Sequence, residues 1–217
     1  MKNLFSIVFL LLVSASLFAG QGIIVSQKYN SPENKGTVTL TWYVSETQCK
    51  VKMDMQSSEV NATSWFIPDL ANSKLLSYGE GPLPAKVPKT YYSIPVQNIK
   101  GTNNASRVSV NRTRETKTIS HMTCEKIVVK TNRSTTEMWV TTDFKTDFYK
   151  YYGFFQSSYE LMGLNEESIQ GFPLESVTKD NTGKVISSLE LSSVTQSNLS
   201  PADFTVPADY TLSDVKR

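Results

Sequence analysis

The sequence predicts a mainly β protein of the α+β class: a single curved antiparallel sheet, or open half-barrel, with one amphipathic helix covering its concave face. Three observations carry this. Ser and Thr are abundant, and short runs rich in Thr, Val, Tyr, Phe and Ile recur between turn residues, which is the composition of strands. The runs follow one another as hairpins, and consecutive hairpins make antiparallel sheet. After residue 143 the apolar period changes from two to between three and four, the period of a helix.

The first clear strand is 37–44. Val38, Leu40, Trp42 and Val44 share one face and Thr37, Thr39 and Thr41 the other, so one face is buried and one is wet. Residues 49–55 repeat the pattern, with Cys49, Val51, Met53 and Met55 opposed to Lys50, Lys52 and Asp54. Ser45, Glu46 and Thr47 join the two as a hairpin. Further strands are expected at 64–67 and 74–78, around a turn at 68–73. Gly79, Gly81, Pro82, Pro84, Pro88 and Pro95 forbid a central strand over 79–95, which reads as an extended surface loop. Residues 98–117 are polar and basic. Arg107–Asn111 suits a short strand there, and the charges suit a solvated face better than an anion site. A hairpin is expected from 119–131 and 135–142, turning at 132–134.

The helix is expected over about 146–162. Phe144, Phe148, Tyr151, Phe155, Tyr159 and Met162 form its apolar stripe. Asp143 is placed to cap its first turn and Gly163 to end it. Strands at 172–178 and 185–194 close the pattern around a turn at 180–183.

Lys2, the apolar run 4–13 and the small residues Ser14, Ala15, Ser16, Ala19 and Gly20 have the order of a secretory signal peptide. The apolar run is shorter than the ~20 residues that span a bilayer. The expected organisation is therefore a signal peptide over 1–20 and one domain over 21–217, exported to the periplasm or secreted, with no transmembrane segment after cleavage. The chain has 22 basic and 20 acidic residues. That balance gives no broad field for nucleic acid. In an oxidising compartment, Cys49 and Cys124 are expected to form one disulfide, and closing so long a loop adds about 4 kcal/mol in the chain-entropy model. The alternative is two separate buried thiols.

The search for chemistry yields no catalytic residue, metal site or cofactor site. His121 is the only histidine, which excludes a His-rich zinc site. It lies three residues from Cys124, on the opposite side of a strand, and no nucleophile elbow accompanies it. It reads as a turn or surface residue. Asp143 and Asp147 would share a helix face, but helix capping accounts for them more simply than acid–base work. Glu166 and Glu167 read as a solvated turn. What remains is large apolar side chains. Trp42, Met53, Met55, Trp65, Trp139, Phe148 and Phe155 are ordinary core or, read functionally, the lining of a cavity between sheet and helix, where methionine adapts to varied shapes.

Four stretches carry a resemblance: ISHMTCEK (119–126), EMWVTTD (137–143), GFP (171–173) and FTVPADY (204–210). In this order and spacing they resemble an exported bacterial family of unassigned function. That family is similar in outline to the periplasmic lipoprotein carriers and receptors of the LolA/LolB type. The resemblance covers mainly residues 105–212, with weaker echoes in 37–78. It implies an open, unclosed β-barrel whose concave apolar surface receives acyl chains, and it carries over no catalytic residue. His121 and Asp209 stand where the family commonly has Gly.

The expected function is thus a non-enzymatic, exported binding protein for a lipid or acyl chain. The alternative is an envelope structural or interaction module with a solid core, using Tyr91 and Tyr92 of the 79–95 loop against a protein partner. A carboxylate-dependent hydrolase ranks last.

Overall fold

The computed structural model describes residues 21–32, 36–58, 61–81, 88–95, 109–144, 146, 148–152, 154 and 170–213. The expected signal peptide lies outside them. Twelve strands form one sheet: β1 (Gln21–Asn30), β2 (Thr37–Val44), β3 (Cys49–Gln56), β4 (Asn61–Asp69), β5 (Lys74–Glu80), β6 (Thr90–Pro95), β7 (Ser109–Ile119), β8 (Met122–Lys130), β9 (Ser134–Thr141), β10 (Phe172–Asp180), β11 (Val185–Asn198) and β12 (Thr211–Leu212). Their spatial order is β12-β6-β5-β4-β3-β2-β1-β11-β10-β9-β8-β7. All neighbours are antiparallel except the two-residue pair of β12 with β6. The sheet is open and curved, with β12 and β7 at its two ends.

Period-two burial selects the inner face. In β2, Leu40, Trp42 and Val44 are buried while their neighbours are only partly so. One core cluster runs from Leu75 on β5 through Val51, Trp42 and Val25 to Leu174, Met138 and Ile127 on the far wing. Residues so far apart along the sheet share one cluster because the sheet bends around them. In β8 the buried set shifts from Met122 and Cys124 to Ile127 and Val129. The shift lies opposite an irregularity in β7, where Thr116 pairs with Glu125 but Arg112 pairs with Ile127. Within that bulge Arg114 takes a positive φ of 64°.

The β10–β11 ladder runs only from Ser176 to Lys179. Before Ser176, β10 stays with β9 while β11 continues along β1. Gln27 of β1, fully buried, bridges this fork: its amide nitrogen donates to the carbonyls of Pro173 (2.8 Å) and Leu174 (3.0 Å). Both partners can only accept, which fixes the orientation of the amide.

Several expectations are corrected. Residues 79–95 are not one loop, since β6 occupies 90–95. The prolines do keep β6 out of the sheet's centre, where a missing N–H would break a ladder. β7 runs to Ile119, further than the short strand expected, and β1 had no counterpart among the expected strands. Ser120 and His121, at φ 48° and 69°, make the two-residue turn between β7 and β8; His121 is an exposed turn residue, as expected. Of the helix expected over 146–162, the described residues hold a single α-helical turn, α1 (Tyr149–Tyr152); positions 155–162, Phe155 included, lie outside them. Amides of Tyr151 and Phe154 donate to carbonyls three residues back. That tighter winding puts Phe148, Tyr151 and Phe154 on one buried face. Asp143 does not cap this turn; its carboxylate accepts from the backbone N–H of Thr123 at 3.1 Å.

The expected disulfide is also corrected. Cys49 and Cys124 are free and buried. β3 and β8 are separated in the sheet order by β2, β1, β11, β10 and β9, and each thiol is buried on its own strand, the alternative of two separate buried thiols. Burial pushes both thiols above their ordinary pKa, which makes them poor nucleophiles.

Candidate functional site

Cross-strand pairing divides the inner face into rows, because directly opposed residues share a face. The upper row reads Val25, Trp42, Val51, Phe66, Ser77 and Tyr92. Below it lie Gln27, Leu40, Met53, Ser64 and Gly79, and below that Tyr29, Val38, Met55 and Ala62.

The upper part is filled by the protein's own rings. Phe172 meets Trp42 edge-on at 5.5 Å between centroids and Phe148 at 4.4 Å; Phe144 lies 5.5 Å from Phe172 and 5.9 Å from Phe148. Gly171 makes this placement feasible. Its φ is +110°, and a Cβ there would stand 2.5 Å from the carbonyl oxygen of Thr141.

The lower rows differ. Met53, Met55 and Val38 are only partly buried, and their neighbours across β4 and β5 are the small residues Ala62, Ser64 and Gly79. Large flexible side chains thus stand beside a stretch of the same face that carries little side-chain bulk. At its lower end the strands stop, and a groove of about 440 Å³ wraps the lip. Inner-face Met55 and Ala62 line it together with outer-face Asp54, Thr63 and Glu80. Thr63 donates to Asp54 at 2.6 Å and Lys52 pairs with Asp54 at 2.9 Å. A second groove of about 220 Å³ shares Glu80 and Gly81 and runs to Lys89, Asp209 and Tyr210.

The outer face carries a smaller cluster. Trp65 stacks on Tyr78 at 6.1 Å and tilts against Tyr43 at 5.7 Å. Tyr210 packs on Tyr78 at 4.8 Å and donates its hydroxyl to the Gly79 carbonyl at 3.0 Å. Lys50, 9% exposed, has its ammonium 4.3 Å from the Trp65 ring centre. Loss of hydration lowers its pKa, against the opposing pull of Glu80 and Asp203. On the far wing, the basic residues of β7 meet carboxylates: Arg112 pairs with Glu125 and Lys117 with Glu175, each at 2.6 Å. Lys126 joins Glu115 to Glu137. Two of the three basic residues in the described part of the stretch, Arg112 and Lys117, are therefore paired.

Of the seven expected lining residues, Phe155 lies outside the described residues and the other six do not share one surface. Trp42 and Phe148 are buried in the main core, with Met53 and Trp139 packed against it. Met55 lines the lip groove, and Trp65 belongs to the outer cluster. Sequence reasoning missed Phe172, Gln27 and Lys50, and also the small residues opposite the methionines. The last had a signal: Ala62 and Ser64 alternate with period two on the strand that follows Met53 and Met55.

A family model described as "Domain of unknown function (DUF4412)" matches residues 22–210. No curated protein matches the chain significantly. Among solved structures, the chain is similar to the MucA/MucB complex of Pseudomonas aeruginosa (9% identity, TM-score 0.49), covering 87% of this chain and 56% of that one. It spans about half the length of that structure. It is similar along almost its whole length to an uncharacterized conserved protein from Thermus thermophilus (12% identity, TM-score 0.49, covering 96% and 99%). A third similar structure is a putative outer membrane lipoprotein-sorting protein domain from Vibrio parahaemolyticus (11% identity, TM-score 0.36, covering 85% and 89%). At these levels the similarities assign no function.

Proposed function

The chain belongs to the DUF4412 family, and from that premise we propose that it is an exported, non-enzymatic binding module of the bacterial envelope whose inner face takes an acyl chain or similar apolar group. The observation that supports the reading is the half-buried pair Met53 and Met55 standing beside the small inner-face residues Ala62, Ser64 and Gly79. Thioethers adapt to guests of varied shape, and the small residues beside them leave room on that face. An acyl chain of about 14 methylenes brings a gross driving force of about 11 kcal/mol at ~0.8 kcal/mol each. Association and ordering costs remove much of it, so micromolar binding needs no charged anchor. The ring cluster of Trp42, Phe172 and Phe148 limits the guest to the lower rows.

Native mass spectrometry of protein purified from the cell envelope tests the proposal, together with a fluorescent fatty-acid probe. Co-purified lipid is expected, and Met53→Gln should weaken the probe about ten-fold by placing a polar amide on that face. Protein that never carries lipid and does not bind the probe would overturn the reading.

That same ring cluster favours a second reading, an interaction module with a solid core that works through its surface. Tyr92, 43% exposed at the rim of the upper row, is then a contact residue. In-cell cross-linking from position 92 to one dominant protein, with no lipid bound, would establish it.

A further inference from the structure

We infer that the sheet carries a hinge: the wing β7–β10 pivots on the foot of the β10–β11 hairpin and is held shut at the opposite end by a latch. The sequence sets the hinge. Both strands are described in full, and β10 pairs with β11 only over Ser176–Lys179, beside the turn that joins them. Even this foot contains a register shift, between Thr178 and Lys179. Further up, β10 slips on β9 between Pro173 and Glu175, and β11 slips on β1 opposite the step from Ser26 to Gln27. Bulges bend a strand and end its pairing, and Pro173 has no N–H to offer across the gap. Gln27 stands beside both slips, since it pairs with Leu191 and bonds to Pro173 and Leu174. On either side of the seam the pairing is longer. β9 holds β10 from Phe172 to Asp180, and β1 holds β11 from Gln21 to Asn30. Each wing is therefore stiff, and the seam yields first.

The latch lies at the open end of the fork. The Gln27 amide reaches the two carbonyls of β10. Trp42 of β2 meets Phe172 of β10 edge-on. Thr146, which follows β9, donates its hydroxyl to the Ser45 carbonyl in the β2–β3 turn at 2.7 Å. Each of these contacts ties the β7–β10 side to the β1–β6 side. Pivoting parts Trp42 from Phe172 and bares the upper row, which the closed form fills with its own rings.

Thiol labelling of protein purified from the cell envelope tests the hinge. The reporters are Val25→Cys in the upper row and Ser187→Cys at the foot, both at buried positions; peptide mapping separates them from Cys49 and Cys124. Val51→Cys reports on the same upper row should Val25→Cys not fold. In low urea the upper reporter is expected to react about ten-fold faster than the foot, with a rate almost flat in urea, because a pivot exposes little surface. The foot reporter should follow global unfolding with the full urea slope. Thr146→Val keeps the volume and removes one latch bond, so it should speed the upper reporter about five-fold. Gln27→Met should act in the same direction. One rate and one urea slope for both reporters overturns the inference, and so does an upper rate that neither latch variant changes.

Discussion

Replacing Gln27 by methionine removes the amide that bridges the fork between β10 and β11 while keeping nearly the same volume. Two carbonyls, Pro173 and Leu174, lose their buried donor, and each loss costs about 1–3 kcal/mol. Part of this is recovered, because the Gln27 Oε1 is buried without a hydrogen-bond partner; removing it returns about 1–2 kcal/mol. The expected net destabilisation is about 2–3 kcal/mol, or a fall in Tm of roughly 5–10 °C for a domain of this size. Urea titration followed by tryptophan fluorescence measures it as a lower midpoint with unchanged slope. Gln27→Glu should be worse, since a carboxylate cannot donate to either carbonyl and carries a buried charge. A Gln27→Met protein as stable as the parent would show that the fork does not depend on this side chain.

Phe172→Ala should cost about 3–5 kcal/mol, because it empties the centre of the ring cluster that joins Trp42 to Phe148; a loss under 1 kcal/mol in the same titration would mean that the rings do not close the upper core. Lys50 has a folded-state pKa held below its ordinary value by lost hydration, so folding disfavours its charged form. Stability should rise as pH climbs from the lowered folded value towards the ordinary ~10.5, and Lys50→Met should flatten that rise relative to the parent; identical pH profiles would refute the assignment. Cys49 and Cys124 should resist a thiol reagent in the native protein and both react after denaturation. A mass two daltons below the dithiol value, or a Tm that drops with reductant, would reveal a bridge instead.

The hairpins were legible where one face is wet. β2 follows the alternation of Thr37–Val44 almost residue for residue, because a solvated outer face enforces period two; β3 has the expected bounds, but its burial does not alternate, since Lys50 on its outer face is covered beside Trp65. β1 was not legible, since Ile23, Ile24 and Val25 run together without alternating. β6 and β7 were obscured by proline and charge, which mark edge positions rather than exclude strands. The helical period between 144 and 162 read Phe155 as lining, while the buried ring that the structure describes is Phe154, brought inward by three-residue winding. Of the site, Met53 and Met55 could be found from their own strand. Their pairing with Ala62 and Ser64 needs the register of β3 on β4, which the period-two alternation of β4 does not by itself fix. Phe172 and Gln27 act through partners far away in sequence, so their roles exist only once the sheet is assembled.

An open sheet leaves two flanks on which further copies could grow. At β7 an incoming strand would meet the left-handed residue Arg114 and a ladder interrupted between Arg112 and Thr116, so hydrogen bonding could not propagate in step. At the opposite flank, β6 ends in Pro95, and its first two residues are already taken by β12. The molecule can therefore stay unclosed without becoming a seed for fibrils.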